Sequence, residues 1–238
     1  MEEFLATTGK AVHDADRAAR SAPVARLGRP TAVALAIALP LGPALIAALR
    51  AIMPTFSAGT AAETVQAAAA ASERHSATVW LGTAAVLVLL PGVLAAARLT
   101  RAAAPRLTWW AVALLVPGYT MLAFVVAGDA EVWSANEAGL GTPAAAQLLD
   151  HGHPAIAVAL AIFVVGHVVG TVLLGLALLK SRKVPAVFAW LLTISQPLHF
   201  VAFVVIGVQA LDATAWTLTA IGMGAVAWAL LREETPAA

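Results

Sequence analysis

The chain has 238 residues, of which 61% are hydrophobic and 11% are charged, and its formal net charge is +1. Because soluble domains carry roughly a quarter charged residues, this composition excludes an ordinary water-soluble globule and indicates a membrane protein. The chain has no cysteine, which excludes disulfides and thiolate metal sites. It also has no basic patch interleaved with aromatic residues of the kind that binds nucleic acid.

Residues 1–30 form a basic cytoplasmic tail ahead of the first apolar run. The basic region is too long for a cleavable signal, and the apolar run that follows is a full membrane span. Apolar residues in the tail recur at about helical spacing, which predicts either a short helix on the inner membrane face or a disordered tail. The residues of this stripe are Phe4, Leu5, Val12, Ala15 and Ala19.

Six apolar runs are long enough to cross the hydrocarbon core, which takes about 20 helical residues. We predict an all-α polytopic membrane protein whose transmembrane domain covers residues 31–231, followed by a short tail at 232–238. The predicted spans lie near residues 31–53, 78–99, 107–127, 155–179, 185–207 and 213–231. Pro40 and Pro43 flank Gly42 in the first span, which predicts a kink or a break there.

The basic residues predict the orientation, because cytoplasmic loops are enriched in lysine and arginine. All but two of the 14 fall on the side that carries both termini, and only Arg50 and Arg74 fall on the other side, which also holds acids such as Asp129 and Asp212. We therefore predict that both ends lie in the cytoplasm, as in a multi-pass protein of the bacterial cytoplasmic membrane. Six of the seven tryptophans are predicted to lie near the two interfaces: Trp80, Trp133 and Trp216 near the outer one, and Trp109, Trp110 and Trp228 near the inner one.

The two longer outer loops carry helix-start patterns. Thr60 and Glu63 have the spacing of a capping box, and Ser134 and Glu137 repeat it. Thr142 and Pro143 are typical of an N-cap followed by proline at the first helical position. We predict short helices in both loops that form a lid over the outer end of the bundle.

Two histidines are the ionisable residues predicted to lie deepest, and the sequence predicts no Asp, Glu, Lys or Arg deep within a span. Counted from the outer helix ends at 1.5 Å per residue, His167 lies about 18 Å down the fourth span and His199 about 12 Å down the fifth. They therefore lie at similar depth on adjacent antiparallel helices. Further candidate ligand contacts share this zone: Ser195, Gln196, Gly170, Thr171 and Tyr119.

These residues predict a polar pocket in the outer half of the bundle. Imidazole binds metal or haem iron, relays protons or hydrogen-bonds a ligand. Haem b, with His167 and His199 as iron ligands, is one candidate, and a small apolar molecule entering from the outer side or from lipid is another. Gly166 and Gly170 form a small-residue pair that admits either a flat ligand or a neighbouring helix. Alternatively, each histidine simply bonds a carbonyl of a neighbouring helix.

Two outer features have competing interpretations. Asp150, His151 and His153 form a second metal candidate, but solvated polar residues that cap helices give the same pattern. Arg50 either extends to the interface or forms the cationic wall of an outer pocket. The functional hypotheses are a ligand-binding membrane protein, a small-molecule or ion transporter or channel that uses the same polar residues, and a structural or regulatory partner. The sequence does not decide whether the protein is an enzyme. It offers no nucleophile or acid–base pair at a suitable spacing.

Overall fold

A computed structural model describes residues 27–234 of the chain, so the predicted helix or disorder of the basic tail falls outside the described residues. Within that range the protein is all-helical. Six helices are long and apolar enough to cross a membrane, which confirms a multi-pass membrane protein. They are α1 (Arg29–Ile52), α3 (Ser72–Thr100), α4 (Pro105–Glu137), α6 (Pro154–Ser181), α7 (Ala186–Phe200, continued by a π-helical turn at Val201–Val205) and α8 (Gln209–Glu234).

The six spanning helices close a ring in chain order. Each packs against the next, and α8 packs against α1 to complete the ring. On one side of the membrane Glu234, near the end of α8, accepts a hydrogen bond from the Leu27 amide at 2.7 Å and pairs with Arg98 at 2.8 Å. These contacts bring the start of α1 and the ends of α3 and α8 to one face. The charge bias predicts that this face is the cytoplasmic one.

The last helix is also fastened to the first at the outer side. The Gln209 side-chain amide donates to the carbonyl oxygens of Arg50 and Met53 at 2.8 and 2.9 Å. The carbonyls of the last helical turn have no partner within their own helix, so this side chain caps the end of α1. The start of α8 is thereby fixed beside Arg50.

Two short helices cover the outer end, as predicted. They are α2 (Ala61–Ala70) and α5 (Thr142–Asp150), which pack on each other and share a small core with Val132 of α4. The capping box of Thr60 and Glu63 is present in full. The residue preceding α5 is Gly141, so Thr142 is already helical and Pro143 lies one position later than predicted.

One predicted helix start is wrong, and the break predicted at two prolines is absent. Ser134 and Glu137 do not start a helix, because α4 continues without interruption through both of them. The sequence between the apolar run and Glu137 contains no proline, and packing of Val132 under α2 and α5 stabilises the extra turns. Pro40 and Pro43 do not break α1, which is one continuous helix over Arg29–Ile52. The packed neighbour α3 supports this segment, since a Cβ on Gly42 would lie 2.8 Å from a Leu89 methyl group.

Small residues set the closest helix contacts. A Cβ on Gly166 would lie 2.6 Å from the Leu114 carbonyl oxygen and 2.8 Å from the Gly118 Cα, so α4 and α6 touch backbone to backbone. A Cβ on Gly170 would similarly meet Leu115 at 2.6 Å. Of the two alternatives for this glycine pair, the structure has the neighbouring helix and not a flat ligand.

Candidate functional site

His167 and His199 lie together inside the ring. Their ring centroids are 5.2 Å apart, and the two residues are 0% and 4% exposed. They project from the neighbouring helices α6 and α7, as the predicted depths require. Trp216 of α8 completes the group, with its ring 5.7 Å from that of His167 and 5.5 Å from that of His199. We call these three residues the histidine cluster.

The ring of His167 has one nitrogen fixed and one free. Its Nδ1 lies 2.6 Å from the Phe163 carbonyl oxygen, one turn earlier in α6. Since a carbonyl only accepts, Nδ1 carries the hydrogen and Nε2 holds the lone pair. This Nε2 is buried and has no hydrogen-bond partner among residues 27–234. Phe163 stacks on the ring at 4.3 Å and fixes its plane. His167 therefore presents an oriented, unsatisfied acceptor to the interior.

His199 is held by a buried carboxylate. Its Nδ1 forms a short hydrogen-bonded contact with Asp212, whose side chain is fully buried at the start of α8. The indole N–H of Trp216 points at the same nitrogen from 3.2 Å. A single ring nitrogen cannot donate to the carboxylate and accept from the indole at once, so the tautomer of His199 decides which partner Nδ1 keeps.

Arg50 supplies the positive charge of the site. Its Nε lies 3.4 Å from Asp212 Oδ2, and its side chain is only 12% exposed. The guanidinium also lies over the Phe203 ring at 4.7 Å, and Phe203 in turn stacks against His199 at 6.2 Å. Arg50 therefore does not extend to the interface. Its side chain turns inward instead, because the carboxylate of Asp212 is inside the ring.

A second polar group adjoins the histidine cluster on α7 and α8. Gln196 donates to the Thr219 hydroxyl at 2.8 Å, Thr219 donates to the Ser195 hydroxyl at 2.8 Å, and Ser195 donates to the Leu192 carbonyl at 3.0 Å. All three side chains are buried. The side-chain oxygen of Gln196 has no partner among the described residues. Gln196 thus joins two helices and still leaves an acceptor free.

The remaining predicted contacts have mixed positions. Tyr119 and Thr171 are buried on the facing helices α4 and α6, and their side chains are neighbours. Gly170 is occupied by its contact with Leu115 and is not open to a ligand. Thr214 and Thr217, in contrast, are exposed and bond carbonyls of their own helix.

The outer-loop histidines cap helices. His151 Nδ1 donates to the Gln147 carbonyl at 2.9 Å, and His153 Nδ1 accepts from the Ala155 amide at 3.2 Å. These contacts match the helix-capping interpretation of Asp150, His151 and His153. Among residues 27–234 no group of three or more His, Cys, Asp or Glu side chains is arranged to hold a metal ion.

Sequence reasoning missed two members of the site and a related pair. Asp212 had been assigned to the outer connection and Trp216 to the outer interface, yet both are 0% exposed. At the outer side, buried His75 donates through Nε2 to the Asp129 carbonyl at 2.8 Å, and the Asp129 carboxyl lies within electrostatic range of both His75 and Arg50. The spacing of Asp212 and Trp216 could have indicated that they act together, because residues at i and i+4 lie on the same face of a helix.

The two rings do not fit a haem held between them. Histidines on opposite sides of one iron have ring centres roughly 6 Å apart, given metal–nitrogen bonds of about 2 Å. The observed separation is 5.2 Å, and α4 fills the glycine face beside His167 where a flat macrocycle would lie. This arrangement leaves no space between the two rings for haem b, one of the ligands that the sequence indicates.

Comparison with protein-family models, with curated proteins and with solved structures finds no match for this chain.

Proposed function

We propose that this multi-pass membrane protein binds a small ligand at the histidine cluster, in the outer half of the bundle, and that the ligand donates hydrogen bonds. The observation that carries the proposal is the chemistry of the unsatisfied atoms. His167 Nε2 and Gln196 Oε1 are buried acceptors without donors, and Asp212 Oδ2 has only its ion pair with Arg50. A buried polar atom left without a partner costs about 1–3 kcal/mol. A donor ligand would remove that cost.

The charges favour a cationic donor. Two carboxyl groups, those of Asp212 and Asp129, face a single guanidinium, that of Arg50. Carboxyl groups therefore outnumber guanidinium groups at this end of the site by two to one. Buried charges in a membrane are costly unless they are paired. The aromatic rings of Trp216 and Phe163 beside the histidines also suit a cation. A protonated amine therefore fits the site better than the small apolar molecule that the sequence alone suggests.

Replacing His167 with phenylalanine tests this proposal. The variant removes the unpaired acceptor Nε2 and keeps a flat ring between Phe163 and Trp216. The free energy of unfolding of the ligand-free protein is therefore expected to rise by about 1 kcal/mol. That gain corresponds to an increase of about 2–4 °C in melting temperature. Primary ammonium compounds are expected to stabilise the wild-type protein and to have no effect on His167→Phe. The exposed His153→Ala variant is the matched control and keeps the response.

The outcome depends on hydrogen donation and not on charge alone. Quaternary ammonium compounds carry the same charge but no N–H, so they are expected to give no stabilisation. Equal stabilisation by primary and quaternary compounds contradicts the proposal, as does a wild-type protein that responds to neither. A destabilised His167→Phe variant would instead support a structural role for the histidine.

Transport is a second candidate, and Asp212 favours it. A carboxylate inside a ring of membrane helices, paired with Arg50 and His199, is the kind of group that ion-coupled carriers use. Uptake of labelled methylammonium by reconstituted vesicles separates the two candidates. Uptake that is present in the wild type and absent in Asp212→Asn supports transport, whereas binding without uptake leaves the simpler binding function.

A further inference from the structure

A cavity of about 690 Å³ lies at the cytoplasmic end of the bundle, far from the histidine cluster. It is formed by the α6–α7 connection and by the last turns of α8. Three cationic side chains surround it: Arg182, Lys183 and Arg232. Its other walls are mostly apolar and include Phe188 and Trp228.

The cations at this cavity are only partly neutralised. Lys183 forms an ion pair with Glu233, and these two side chains are 44% and 39% exposed. Arg182 and Arg232 are exposed and form no ion pair within residues 27–234. The ion pairs among residues 27–234 therefore leave two guanidinium groups at the cavity without a counter-ion. Guanidinium is the side-chain group best suited to bidentate contact with phosphate.

The apolar wall continues toward the membrane. Trp228 is 66% exposed on the lipid-facing side of α8, one turn before Arg232. Tryptophan at this depth is typical of the headgroup region of a bilayer. The cavity thus has a cationic end at the cytoplasmic surface and an apolar end in the acyl region. This polarity matches that of a phospholipid.

Arg182 occupies a conformation that costs free energy. Its φ and ψ of 54° and 24° are left-handed, and it is the one non-glycine residue with positive φ among residues 27–234. Glycine usually ends a helix in this conformation because it has no Cβ to clash. Backbone strain retained beside the cavity supports a functional role for this residue.

We propose that this cavity binds the phosphate headgroup of an anionic phospholipid from the cytoplasmic leaflet, with Arg182 and Arg232 on the phosphate and Trp228 against the acyl chains. Basic cavities between membrane helices on the cytoplasmic side are suited to such headgroups. The proposal is independent of the ligand proposed for the histidine cluster, because the two sites share no residue.

Native mass spectrometry of the full chain in detergent, with added phosphatidylglycerol or phosphatidylcholine, tests the proposal. The wild type is expected to retain one phosphatidylglycerol with about tenfold preference over phosphatidylcholine. Arg182→Gly and Arg232→Gln are each expected to weaken phosphatidylglycerol binding about fivefold, the contribution of one basic residue near an anionic surface. Lys180→Gln, which removes a charge from the same connection but outside the cavity, is expected to stay within twofold.

Arg182→Gly also separates binding from folding. Glycine suits the left-handed conformation, so its melting temperature without lipid is expected to equal or exceed that of the wild type. The proposal is overturned if Arg182→Gly binds phosphatidylglycerol as the wild type does, or if Lys180→Gln weakens binding equally. It is also overturned if millimolar glycerol phosphate displaces the lipid completely, because the site would then recognise a free phosphate.

Discussion

Replacing Asp212 with leucine removes the carboxylate that Arg50 and His199 share. The side chain is fully buried, so the change leaves the guanidinium of Arg50 enclosed without its nearest counter-ion. Breaking a buried pair by removing one partner typically costs 3–5 kcal/mol. His199 is affected less, because its Nδ1 is then free to accept from the Trp216 indole 3.2 Å away. We therefore expect Asp212→Leu to destabilise the protein by about 3 kcal/mol, chiefly through Arg50.

Combining Asp212→Leu with Arg50→Met measures the coupling energy of the buried ion pair. Arg50→Met alone leaves Asp212 with only His199, and we expect a loss of about 2 kcal/mol. When both charges are replaced by apolar side chains, neither is left unpaired, and the combined loss is expected to be about 1 kcal/mol. The coupling energy between the two positions is then about 4 kcal/mol. Reversible unfolding in mixed micelles, followed by circular dichroism, measures all four proteins.

The exposed pair of Lys183 and Glu233 is the matched control. Both side chains are more than a third exposed, so water screens them and their coupling is expected to stay below about 1 kcal/mol. Additive losses at Arg50 and Asp212, or a coupling no larger than that of the control pair, would refute the interpretation that burial makes this ion pair necessary.

Two further predictions concern packing and capping. Gly166→Ala places a methyl group 2.6 Å from the Leu114 carbonyl oxygen, so α4 and α6 must separate at a cost of about 2–3 kcal/mol. Gly128→Ala, with nothing within 4 Å of its new Cβ, should be neutral or stabilising, and equal losses in the two variants would contradict the assigned contact. Thr60→Ala removes one half of the capping box and should cost about 1 kcal/mol locally, seen as faster hydrogen exchange of α2 amides. Exchange that stays unchanged would show that packing alone holds this helix.

The spans were predictable because apolar length is a property of the sequence itself. Every one of the six runs became a spanning helix, and the outer lid followed from the spacing of Thr60 and Glu63. The meeting of His167 and His199 was also predictable, because depth along a helix can be counted. Trp80, Trp109 and Trp228 face outward as interfacial residues should.

The rotation of each helix about its axis was not predictable. α6 is apolar on all sides, so its sequence does not indicate which face carries His167 inward. Arg50 and Asp212 lie near helix ends. At such positions the sequence does not show whether a charged side chain extends to water or turns into the bundle. Only the packing of α8 against α1 brings these two side chains together. The positions of the charged residues of the candidate site therefore could not be predicted without the tertiary structure.

The contact of Gln209 with the end of α1 has a consequence for biosynthesis. The first helix emerges from the ribosome long before the sixth, and until the sixth arrives its last carbonyls lack the amide that caps them and Arg50 lacks its carboxylate. A nascent chain with five helices in the bilayer thus holds Arg50 beside the open gap between α1 and α7 without its ion-pair partner Asp212. Insertion of the sixth helix closes that gap and supplies the partner of Arg50 in one step, so the ring is completed only after this helix has been made.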